Sequence, residues 1–173
     1  RAIGPADRID AVAARLKERL VKTTVGDPRL DNVRMGALAS KSQQADVADR
    51  VATLSQGADI VFGGDTGFAP VGEGVAEGAF FQPTLLLARD PQRHAAHDVE
   101  AFGPVSTLMA YSTIDDAIAL AAKGQGSLAG TLVTKGADVA AQGIPQLAAL
   151  HGRLQILDRA AAPESPGHGP ALP

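Results

Sequence analysis

The 173-residue chain contains no cysteine. That excludes disulfides, thiolate metal sites and a cysteine nucleophile carried by these residues. Aromatic residues make up only 3%, with no tryptophan, so the helices must bury small side chains and pack closely. Basic residues are not in excess: 16 Lys and Arg against 19 Asp and Glu leave a formal net charge of −3, which argues against a nucleic-acid partner. No apolar run reaches the ~18 residues of a membrane span, and no basic–apolar signal peptide opens the chain. The chain starts at Arg1 rather than at a methionine and closes on a proline-rich string, so it reads as a piece of something longer. What is present, 45% apolar residues, is enough for a core. The length fits one domain with a tail, at roughly 100–200 residues per domain. Together these features describe a soluble, cytoplasmic α/β protein.

Periodicity sets the elements. Ile9, Val12, Ala13, Leu16 and Leu20 form one apolar helical stripe, with Pro5 suited to the first helical position. Ser40 and Gln43 have capping-box spacing and open a second helix that continues through Val47, Val51 and Leu54 to Gly57. Asp59–Phe62 is a short strand, Gly63–Gly78 a long glycine-rich loop, and Phe80–Leu87 a strand in which Pro83 marks an edge or a start. Then follow a strand over Pro104–Tyr111, a helix over Thr113–Ala122 and a strand over Leu128–Thr134. A helix over Ala137–Leu150, which Pro145 must kink or split, leads to a final strand over Arg153–Leu157. In one sheet this β-α-β-α-β order implies parallel strands with helices on both faces. Residues 160–173 have no period and read as an irregular or disordered tail.

Most motif candidates have a plain structural explanation. Gly72-x-Gly74 with Gly78 and Gly124-x-Gly126 with Gly130 lack the dinucleotide spacing, and both precede strands where a phosphate loop would follow one. Gly126-Ser127-Leu128-Ala129-Gly130 is out of register for a serine-hydrolase elbow. His94-x-x-His97 with Asp98 lacks a third metal ligand at a standard spacing, and a solvated loop explains it. His151 and His168 stand alone, and Asp115-Asp116 fit the first turn of a helix.

Glu100-Ala101-Phe102-Gly103-Pro104-Val105 is different. A carboxylate at a sheet end can accept both hydroxyl hydrogens of a ribose diol, and a phenylalanine ring two residues on offers a face to a flat heterocycle. Gly103 permits an unusual φ and Pro104 fixes the strand entry. The bland alternative is a buried Phe102 beside a solvated Glu100.

Glu-x-Phe-Gly-Pro resembles a signature of the aldehyde dehydrogenase superfamily, from the C-terminal part of its catalytic domain. The other motifs agree in order: Val25-Gly26-Asp27-Pro28, Met35-Gly36-Ala37-Leu38, Gly78 to Leu85, and Gly152 to Asp158. The resemblance covers essentially residues 1–173. It departs from the general pattern at Asp158, where most members carry Asn, and at Gly124–Gly130. Those departures, with Glu164-Ser165 and Gly167-His168-Gly169, are similar to a branch that joins the dehydrogenase to a ring-opening hydratase in phenylacetate degradation. A branch from aerobic benzoyl-CoA breakdown is the near alternative, and a non-enzymatic α/β interaction module is the competing class.

The resemblance implies a partial catalytic domain over 1–159 of an NAD- or NADP-dependent enzyme that oxidises a CoA-linked semialdehyde. It implies that a cysteine thiolate attacks the aldehyde, a glutamate activates water, and an asparagine steadies the oxyanion, all upstream of Arg1. No catalytic residue and no metal ligand then falls within the chain. Glu100 would hold the nicotinamide ribose and Phe102 would flank the nicotinamide. The chain alone would be inactive, would bind the cofactor poorly, and would belong to a homo-oligomer.

Overall fold

A computed structural model describes residues 1–64 and 67–161. The chain divides into two compact units, Arg1–Ala110 and Tyr111–Pro173. The irregular tail expected over 160–173 lies, from residue 162 on, outside the described residues. Among the described residues no helix is long and apolar enough to cross a membrane.

The first unit is built on a four-stranded sheet of order β1-β4-β3-β2. Its strands are β1 (Ala2–Pro5), β2 (Ala58–Phe62), β3 (Thr84–Ala88) and β4 (Val105–Tyr111). Every residue of β3 is buried, as a strand covered on both faces requires. β3 and β4 are parallel, with Thr84 opposite Val105 and Leu87 opposite Leu108. β2 runs antiparallel to β3.

Helix α1 (Ile9–Leu20) lies on one face, where Ala13 packs with Leu85, Leu87 and Leu108. Helix α2 (Lys41–Ser55) packs Val47 and Val51 with Phe81 and Val105. Val105 and Leu108 differ in parity along β4, so the two helices cover opposite faces. A short helix, α3 (Ala95–Asp98), precedes the Glu100–Val105 turn.

The second unit holds α4 (Ile114–Ala122), β5 (Ser127–Val133), α5 (Ala137–Ala148) and β6 (His151–Leu157). β5 and β6 are parallel and form a two-stranded sheet of their own. A capping box starts α4: Thr113 Oγ1 accepts from Asp116 N at 3.1 Å, and Asp116 Oδ2 accepts from Thr113 N at 3.1 Å.

The α/β class and helices on both faces agree with the sequence reading, and several details differ. The expected single parallel sheet is divided between the two units, and β2 is antiparallel. Pro5 ends β1, and a 3-10 turn over Ala6–Arg8 precedes α1. Pro83 sits immediately before β3, so its missing N–H costs no ladder bond. α5 continues through Pro145 without splitting. There Gly143 is buried, and a Cβ on it would lie 3.3 Å from Leu132 of β5.

Candidate functional site

The resembling motifs of the first unit meet around the N-terminal half of α2. Val25 and Gly26 bridge to Met35 and Val71, and Asp27 N donates to Val71 O at 2.8 Å. Gly26 must be glycine, because a Cβ there would overlap the Val71 carbonyl. Leu38 N donates to Ala79 O at 2.8 Å, tying the loop before α2 to the segment before β3. From the helix, Lys41 Nζ donates to Gly78 O at 2.8 Å and Gln44 Nε2 to Phe80 O at 2.5 Å. These bonds, with Phe80 and Phe81 buried, explain the Gly-x-Phe-Phe-x-Pro-Thr pattern as structural.

Asp27 is buried and pairs with the exposed Arg29. Arg29 Nε lies 2.9 Å from Asp27 Oδ1, Arg29 Nη2 lies 2.6 Å from Oδ2, and the Arg29 amide donates to Oδ1 at 3.0 Å. Hydrogen bonds from the Arg29 side chain first, and from its backbone second, hold the Asp27 carboxyl down at about 2.

The Glu100–Val105 turn packs on the same helix. Gly103 lies so close to α2 that a Cβ would stand 2.6 and 2.9 Å from the Val47 methyls. Thr84 N donates to Pro104 O at 2.8 Å, locking the strand entry to β3. The unusual φ expected at Gly103 falls instead on Phe102, at 51°. That is the left-handed region, which costs an L-residue roughly 1–2 kcal/mol and marks functional positions when found on a bulky side chain. Gly103 is glycine for close approach.

The ring of Phe102 is 72% exposed, which removes the bland reading of a buried core phenylalanine. Glu100 is also exposed. The strained turn therefore presents a flat apolar face and an exposed carboxylate two residues apart. Glu100 also lies near the start of β1.

Gln43 was legible only as a cap. Its backbone N–H donates to Ser40 Oγ at 3.1 Å, its Oε1 accepts from Ala39 N at 2.9 Å, and its Nε2 donates to Phe102 O at 2.7 Å. Sequence carries the capping spacing, but a bond spanning 59 positions has no local signature.

The other candidates have structural roles. His97 sits in α3, where Nε2 donates to Pro91 O at 2.7 Å and Nδ1 accepts from Arg1 at 2.8 Å. His94 faces Asp98 at 3.7 Å. Ser127 and His151 meet at 2.8 Å across the starts of β5 and β6. A Cβ on Gly72 would lie 2.9 Å from Asp27 Cβ.

The Glu100–Val105 turn thus carries an exposed Phe102 and an exposed Glu100 at a strand entry, framed by the motif cluster on an α/β scaffold. Comparison with known proteins gives its class. The aldehyde dehydrogenase family model matches residues 1–166, so the chain belongs to the aldehyde dehydrogenase family.

Over 175 aligned residues it is 41% identical to the 3,4-dehydroadipyl-CoA semialdehyde dehydrogenase of Aromatoleum evansii, covering 100% of this chain and 34% of that protein. It is 45% identical over 141 residues to Protein MaoC of Klebsiella aerogenes, covering 80% of this chain and 40% of that protein. The chain thus spans between 34% and 40% of the length of these curated relatives. Among solved structures, an aldehyde dehydrogenase of Mycobacterium tuberculosis complexed with NAD+ superposes with a TM-score of 0.74 at 30% identity, covering 89% of this chain and 30% of that one. An aldehyde dehydrogenase C mutant from Pseudomonas syringae, complexed with NAD+ and octanal, gives 0.77 at 26% identity over 97% of this chain and 32% of that one.

Proposed function

We propose that this chain is the cofactor-facing part of the catalytic scaffold of an NAD- or NADP-dependent dehydrogenase that oxidises a CoA-linked semialdehyde to the acid during aromatic degradation. The observation that carries the reading is the Glu100–Phe102 turn. Glu100 is exposed, and its two acceptor oxygens suit the two hydroxyls of a ribose, while the exposed Phe102 suits one face of a planar heterocycle. These residues fit one side of a nicotinamide nucleoside. When bound, the nicotinamide supplies the hydride acceptor.

Within this chain, Glu100 binds and orients, Phe102 shields one ring face from water, and α2 keeps both in place. The chain has no cysteine, so the nucleophilic thiol belongs to another part of the parent protein, and this chain alone is inactive. CoA linkage is supported by the name of the Aromatoleum evansii relative. Phenylacetate degradation is the first reading of the pathway, from the sequence pattern at Gly124–Gly130 and His151–Arg159. Benzoyl-CoA breakdown is the second. Exposed Leu128 and Val133, at 88% and 70%, support burial against another part of a homo-oligomer.

The test is to assay the full-length protein with CoA-linked semialdehydes of both branches, with the corresponding free semialdehydes, and with NAD+ and NADP+. The proposal expects the CoA-linked aldehydes to be oxidised with much the higher kcat/KM. Equal turnover of the free aldehydes would remove CoA linkage, and no turnover at all would favour a non-enzymatic module.

A further inference from the structure

Gln43 is joined on several sides at the start of α2. Its amide oxygen accepts from Ala39 N at 2.9 Å, and its amide nitrogen donates to the Phe102 carbonyl at 2.7 Å. That carbonyl belongs to a residue held at a left-handed φ of 51°. An unanchored phenylalanine would relax toward an ordinary backbone region and swing its ring away. We propose that Gln43 is a positioning residue: its bond to the Phe102 carbonyl sets the conformation in which the turn offers the Phe102 ring to the cofactor. This rests on the reading of the turn as a cofactor-binding face.

The chemistry of the amide makes the role separable from helix capping. One group must accept from Ala39 and donate to Phe102, and only an amide of this length does both. Gln43→Glu keeps an acceptor at the third helical position, where a carboxylate also suits the helix dipole. It places an acceptor against the Phe102 carbonyl and so loses the anchor. Gln43→Lys keeps a donor for Phe102 and loses the acceptor, in the helix turn where a cation is unfavourable. A residue that merely caps α2 would show the opposite ranking.

The experiment measures affinity for NADH and NADPH by the fluorescence change of the reduced nucleotide, and the thermal midpoint without nucleotide, in the full-length protein. Gln43→Glu is expected to keep the midpoint and weaken nucleotide binding by roughly 3- to 10-fold, the loss of one hydrogen bond. Gln43→Lys is expected to lower the midpoint and retain binding.

Phe102→Gly completes the test. Glycine adopts the left-handed conformation freely and carries no ring to position. In that background Gln43→Glu should cost nothing further, because the two changes remove one device. Wild-type binding in Gln43→Glu, or an equal loss with and without the Phe102 ring, would overturn the proposal. If Phe102→Gly and Glu100→Gln both bind like wild type, the cofactor reading of the turn falls and takes this proposal with it. If those two are weakened and Gln43→Glu is not, the proposal alone falls.

Discussion

A single methyl group at residue 103 tests how the turn is held. A Cβ there would lie 2.6 and 2.9 Å from the Val47 methyls, against the ~3.5–4.0 Å of ordinary carbon contacts. Val47 is 0% exposed and packs with Val51 and Phe81, so it cannot yield, and the turn must lift by about 1 Å. Overpacking of this kind costs ~1–3 kcal/mol. Gly103 has no positive φ, so alanine adds no backbone strain and even recovers ~0.4–1 kcal/mol through the unfolded chain. The clash wins, and Gly103→Ala should destabilise by about 1–2 kcal/mol.

Val47→Ala removes both methyls that the new group meets. Alone it costs about 2 kcal/mol in lost burial and cavity. In the double variant one methyl replaces two, so the combined loss should fall at least ~1 kcal/mol short of the sum. Urea unfolding at constant m-value reads these changes, and nucleotide affinity should fall in Gly103→Ala as Phe102 is displaced. Strict additivity, or a neutral Gly103→Ala, would refute the packing argument.

The remaining predictions concern pH, capping and activity. Asp27 is depressed to about 2, so its stabilising contribution is complete above the ordinary carboxylate pKa of 3.8 and is lost as pH falls toward 2. The stability gap between wild type and Asp27→Asn should therefore be constant above pH ~5 and shrink between pH ~4 and 2 in urea titrations. Thr113→Ala breaks the α4 capping box and should cost about 1 kcal/mol, with Asp116→Ala adding less than its own single effect. The 173-residue chain alone, lacking any thiol, should reduce neither NAD+ nor NADP+ with any aldehyde. Turnover that survives repurification, read at the reduced-nucleotide absorbance band, would contradict that.

Local physics made much of this legible. The stripes of α1 and α2, the Ser40 and Thr113 caps and the apolar run of β3 from Leu85 to Ala88 follow from periodicity and hydrogen-bond chemistry within a few residues. What was not legible depends on distant partners. β1 is too short to show a period, and it exists because β4 pairs with it. Pro145 lacks the N–H for one helical bond, yet α5 runs on through it. At the site, the motif identified Glu100 and Phe102. It could not say which residue of the turn bears the left-handed φ, because that follows from Gly103 seating on Val47 and Gln43 binding Phe102.

The central claim is that Glu100 holds the cofactor, and Glu100→Gln in the full-length protein tests it most directly. The change keeps shape and exchanges a charged acceptor for a neutral one. A charge-assisted hydrogen bond is worth ~1.5–3 kcal/mol, so nucleotide handling should weaken by roughly 10- to 100-fold. The pre-steady-state burst of reduced nucleotide should slow, while a thiol-directed alkylating reagent still labels the parent's nucleophilic cysteine at the wild-type rate. A wild-type burst with wild-type nucleotide affinity would contradict the account and leave Glu100 a solvated residue at a strand entry.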